Sequence, residues 1–154
     1  MKKAIKIFDG VAIVVFIMMV SVVIWQVITR FLLHMNAPWT EELSRLLFIY
    51  VGFMGTAIAT REKELIVVDI VLSRLPQRLR TVFDVIIQIF TFVFFTIVLV
   101  GALKMFMTTK STYFQSMPWL SNGWTYMAVI IGMTASLLAI LVNGVNHIKE
   151  VFKK

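Results

Sequence analysis

Twenty consecutive residues, Gly10 to Thr29, carry no charge. At 1.5 Å per residue a helix of that length crosses the hydrocarbon core of a bilayer. Three further apolar runs follow. The expected spans are roughly 11–33, 43–60, 81–103 and 123–146. Composition agrees: 60% of the 154 residues are hydrophobic, well above the share in soluble domains, and mean hydropathy is +0.91. No long polar segment leaves room for a separate soluble domain, so residues 1–154 are expected to form one all-α membrane domain of four transmembrane helices. The first run is too long for a signal-peptide core and has no small-x-small cleavage pattern after it, so it reads as a retained helix. Cysteine is absent, which excludes disulfides, thiolate metal sites and thiol nucleophiles.

The net charge of +7 follows the spans instead of forming a nucleic-acid patch. Eleven of the 15 basic residues fall in the N-terminal tail, the loop between spans two and three, and the C-terminal tail. Arg30, Arg45, Lys104 and Lys110 fall on the other side. Basic excess marks the cytoplasmic side, so both termini are expected there. Trp39, Trp119 and Trp124 belong to the opposite side, where indole rings favour the interface. Between spans two and three, Leu65 to Leu75 is mostly apolar but too short to span. It is expected to be an amphipathic helix lying in the cytoplasmic interface, with Asp69 and Ser73 on one side.

The densest cluster of polar signals opens the second span: PWTEELSRLLFIYVGFMGTAIAT, Pro38 to Thr60. Thr40 is expected to cap the helix by accepting backbone N–H groups. Glu41 and Glu42 suit the positive end of the helix dipole, and Arg45 shares their face. The cluster reads either as a helix start or as a contact site, with Arg30 near the same depth. Gly52, Thr56 and Thr60 repeat every four residues, with Gly55 and Ala59 adjacent, a spacing that lets helix backbones approach closely in lipid. The neighbour could lie in this chain or in another. The third span is rich in Phe and shows no polar face, which suits a scaffold better than a pore.

No acidic residue lies at mid-depth. Asp9, Glu41, Glu42 and Asp84 sit near span ends, which argues against a carrier acting alone. His34 and His147 fall at opposite membrane faces, so one haem cannot use both. Two rival readings, an autonomous homodimeric carrier and a haem-bearing anchor, thus find no supporting residues.

The run from Arg30 to Pro76 resembles the small membrane subunit of tripartite ATP-independent periplasmic (TRAP) transporters, the DctQ-like family. The resemblance rests on Arg30, Trp39, Glu41-Glu42, Arg45, Gly52, Gly55, Arg61, Val68-Asp69 and Leu75-Pro76. It departs at Leu65, where the family often has His four residues before the Asp. The resemblance implies a non-catalytic scaffold subunit of a sodium-coupled secondary transporter for small carboxylates, sialic acid or C4-dicarboxylates. Such a subunit stabilises a large elevator-type membrane subunit and helps dock a periplasmic substrate-binding protein. It sits in a bacterial inner membrane among phospholipid, and holds no cofactor or metal. The expected subunit or docking interface is Arg30, Trp39, Glu41, Glu42, Arg45, Gly52, Gly55 and Thr56, with Arg61 and Asp69 in the cytoplasmic loop.

Overall fold

A computed structural model describes residues 2–62 and 77–151. It contains four long helices: α1 (Lys2–Phe31), α2 (Pro38–Glu62), α3 (Gln77–Thr109) and α4 (Gly123–Val151). All four are long and apolar enough to cross a membrane, over Ile5–Phe31, Pro38–Glu62, Val85–Thr109 and Gly123–Gly144. The helices outrun the expected spans because polar ends such as Glu41 and Arg61 continue the helix beyond the apolar run. The expected interfacial helix, with Asp69, lies outside the described residues.

The helices form a row, not a closed bundle. α1 packs on α2, α2 on α4, and α4 on α3. α2 and α4 occupy the middle. The first turn of α2 differs from expectation. Pro38 takes the first helical position, where its missing N–H has no partner to lose. Thr40 therefore sits inside the helix. Its hydroxyl donates to the Ala37 carbonyl (2.6 Å) instead of accepting from the backbone. Just beyond the end of α1 the chain turns at His34, whose φ of 49° is left-handed, and the Met35 amide donates back to the Thr29 carbonyl (3.0 Å). Histidine is among the non-glycine residues that tolerate this conformation best. His34 thus has a structural task in ending α1.

Pro38, Lys110–Asn122 and the start of α4 lie at one end of the row. The 110–122 connection is a small hairpin. Tyr113 bridges Ser121, the Phe114 amide donates to Leu120, and a turn over Met117–Leu120 places Pro118 at its second position. Turns at Pro118 and Asn122-Gly123 are as the sequence indicates.

Interior packing is sparse. The central cluster is Phe95, Met133 and Ile140, flanked by Phe53, Val98, Leu99, Val129 and Leu137. Large apolar side chains such as Ile13, Ile17, Phe90, Ile97 and Leu138 point outward. An apolar exterior of this extent suits lipid, not water. What is buried between α2 and α4 is small. Ala128, Gly132 and Ser136 recur every four residues on α4, and all are buried. A Cβ on Gly132 would stand 2.6 Å from both the Cβ and the carbonyl oxygen of Phe53. The close backbone approach within this chain is therefore made by α4, at a position that the α2-centred sequence reading overlooks.

Candidate functional site: the two rims and the open face of α2

The rim residues cluster where α2 begins. Arg45 donates to the Oε1 of Glu41 at 3.2 Å, with both side chains about two-thirds exposed. A pair so solvated contributes well under 1 kcal/mol to stability, roughly 0.3–0.5. Glu42 faces elsewhere. Its Oε2 accepts the backbone N–H of Ser116 at 2.9 Å, tying the 110–122 hairpin to α2. Met117, next in the chain, is buried. The acids that look equivalent in sequence thus divide their work: one balances Arg45, the other holds a loop. Arg30 and Trp39 are exposed at the same end.

Below this rim the uncovered side of α2 continues as one stripe. Glu41, Arg45, Phe48, Gly52 and Gly55 are exposed and lie within one helical face, while Leu46, Met54, Ala57 and Thr60 are buried on the other. Among the described residues, a Cβ at Gly52 or Gly55 would meet nothing within 4 Å. Of the small residues read as one face, Thr60 is buried, whereas Gly52 and Gly55 are left uncovered by the described residues. The Thr56 hydroxyl donates to the Gly52 carbonyl (2.9 Å), so its own helix satisfies it and its methyl is left for packing.

The opposite rim holds the polar staples. Arg61 lies in the last turn of α2, not in a loop, and grips Asp9 of α1 through both carboxylate oxygens at 2.8 and 3.1 Å. Glu62 accepts from the same guanidinium (2.9 and 3.2 Å). Asn143 of α4 donates to the Thr60 carbonyl at 3.1 Å. Gln88 of α3 donates to the Ile140 carbonyl of α4 at 3.2 Å. Each helix is thereby tied to its neighbour in the row. Gln88 also corrects the reading of α3 as lacking any polar face. An amide among apolar residues is the signal for such a contact, since interhelical hydrogen bonds commonly use Asn and Gln in lipid.

Among the described residues there is no group of three His, Asp or Glu side chains able to hold a metal ion. The polar groups described here serve helix ends and helix pairs.

The family model for the DctQ component of tripartite ATP-independent periplasmic transporters matches residues 19–150. A TRAP transporter small permease protein of Haemophilus influenzae, itself assigned only provisionally, is 24% identical over 147 residues, covering 94% of this chain and 87% of that one. A sialic acid TRAP transporter small permease protein of Vibrio cholerae is 37% identical over 62 residues, 40% of this chain and 36% of the relative. A sialic acid TRAP transporter permease protein of H. influenzae is 33% identical over 78 residues, 51% of this chain but only 13% of that much longer protein. With a family match across 19–150 and four apolar helices of spanning length, this chain belongs to the DctQ-component family of TRAP transporters, a multi-pass membrane component of a transporter and not an enzyme.

Proposed function

We propose that this chain is the scaffold subunit of a sodium-coupled TRAP-type secondary transporter for small carboxylates, of the sialic acid or C4-dicarboxylate class, in a bacterial inner membrane. Residues 1–154 act as a single four-helix domain that stabilises a large elevator-type membrane subunit and helps dock a periplasmic substrate-binding protein. The observation that carries this reading is the uncovered face of α2. Glu41, Arg45, Gly52 and Gly55 line it, and among the described residues nothing comes close to its glycines. A small-residue face gains little from lipid tails but much from a partner helix that can approach its backbone. Two relatives support a membrane partner. The region similar to this chain makes up 13% of the sialic acid permease and 20% of an isethionate TRAP permease of Oleidesulfovibrio alaskensis, so in both it is continuous with a much larger protein.

Co-purification of this chain with the large permease subunit is the test. Gly52→Leu and Gly55→Leu should each lower the recovered complex several-fold, while the chain alone inserts and folds normally. A lost contact of 1.4 kcal/mol already means about tenfold in affinity. Equal recovery for both variants would remove this face from the interface.

Orientation belongs to the same proposal. The basic excess on the tails and the 61–80 segment supports a topology with both termini in the cytoplasm and the Glu42–Ser116 rim in the periplasm. A single Cys at Ser116 should react with an impermeant thiol reagent on spheroplasts, and one at Lys3 or Arg78 should not. The reverse pattern would turn the protein over.

A further inference from the structure

We propose that the crook between the end of α1 and the start of α2 holds the headgroup of a zwitterionic aminophospholipid, with Arg30 on the phosphate and Glu41 facing the ammonium. A cavity of about 290 Å³ opens there, and its walls include Gln26, Arg30, Met35, Asn36, Thr40 and Glu41. It lies just below the ~300–1,000 Å³ of ordinary small-molecule sites, a size suited to a headgroup. Its depth is set by sequence, because Arg30 closes a 20-residue run without charge, which places it at the headgroup level.

The lining has the chemistry such a ligand needs. Among the described residues, the ion pairs are Arg45–Glu41, Arg61–Asp9 and Arg61–Glu62, and Arg30 takes part in none. Its fork of donors matches a phosphate. Gln26 and Asn36 supply amides for the remaining phosphate and ester oxygens. Glu41 is the other charged residue of the lining, so the walls carry one charge of each sign; its Oε1 accepts from Arg45, which lies outside the lining, and its Oε2 is the oxygen left for an amine. That balance decides the class of lipid. An arginine alone at a membrane surface favours anionic lipid, whereas an added carboxylate repels a second negative charge and attracts an amine. The route for the acyl chains is also present. Ile24, Val27 and Phe31 are exposed in one stripe along α1 leading up to Arg30, and Leu32, Leu33 and Met35 are exposed at the turn. The assignment needs the four-span membrane reading but not the large-subunit partner.

The test is native mass spectrometry of the full-length chain in detergent, offered equimolar phosphatidylethanolamine and phosphatidylglycerol, and separately inorganic phosphate. Phosphatidylethanolamine should be retained over phosphatidylglycerol by about tenfold, as expected when one charge-assisted contact is gained and one repulsion avoided. Arg30→Gln should lose that adduct, Arg30→Lys should keep much of it, and Glu41→Gln should shift retention toward phosphatidylglycerol. Arg30 is exposed, so its variants should keep the wild-type helical circular dichroism. If Arg30→Gln nevertheless fails to fold, the selectivity of Glu41→Gln still decides. Equal retention of the two lipids by the wild type, or an unchanged adduct in Arg30→Gln, would overturn the proposal. Displacement of the lipid by millimolar inorganic phosphate would overturn it in favour of a free-anion site.

Discussion

Gly132→Ala should be the most damaging single methyl addition in this protein. The new Cβ would lie 2.6 Å from the Phe53 carbonyl oxygen and 2.7 Å from its carbonyl carbon, inside any tolerable contact. Those atoms are backbone and cannot rotate away, so α2 and α4 must separate. Separation strains the Asn143–Thr60 hydrogen bond at one end and the Tyr50–Trp124 hydrogen bond at the other (3.1 Å each). Overpacking costs about 1–3 kcal/mol where side chains can adjust, and a backbone clash belongs at or above the top of that range. Unfolding in mixed micelles with rising SDS fraction should show it as a clear drop in midpoint. Gly52→Ala and Gly55→Ala are the matched controls, with open space around the new methyl, and should leave the midpoint of the isolated chain unchanged. A Gly132→Ala protein as stable as wild type would mean that α2 and α4 do not pack at this distance.

That contrast shows what the sequence could and could not reveal. Four apolar runs were legible because bilayer thickness fixes their length, and the turns at Pro118 and Asn122-Gly123 because those residues restrict the backbone. Two helices, however, carry small residues at four-residue spacing: Gly52-Thr56-Thr60 on α2 and Ala128-Gly132-Ser136 on α4. Spacing says that a backbone can approach, not which one does. The structure uses the α4 set internally and leaves Gly52 and Gly55 uncovered. The rim failed for a related reason. Glu41 and Glu42 are both within reach of Arg45 along the helix, and only the fold of the distant 110–122 hairpin directs Glu42 to Ser116. Gln88 and Asn143 were visible as amides in apolar runs, but their acceptors are backbone carbonyls, which no side-chain pattern marks.

The second large effect is expected at the opposite rim, where Arg61→Ala should destabilise the chain more than Asp9→Ala. Arg61 and Asp9 are about a quarter and a third exposed. Their bidentate bond therefore falls between a surface pair, worth about 0–1 kcal/mol, and a buried pair, whose breakage costs about 3–5 kcal/mol. Removing Arg61 strands the Asp9 carboxylate at the edge of the apolar zone without its partner, a loss of about 2 kcal/mol after allowance for solvent. Removing Asp9 strands less, because Glu62 still accepts from the guanidinium at 2.9 and 3.2 Å. About half the effect is expected there. The damage should also be directional. α1 packs extensively only on α2, so loosening this clamp frees the start of α1 while α2, α4 and α3 keep their contacts. A spin label at Ile7, an exposed position two residues before Asp9, should become more mobile in Arg61→Ala, whereas a label at Leu138 on α4 should not change. The reversed pair, Asp9→Arg with Arg61→Asp, should recover only part of the stability, since Glu62 would then face a carboxylate. Equal mobility at Ile7 in wild type and Arg61→Ala would show that apolar packing alone holds α1 in the row.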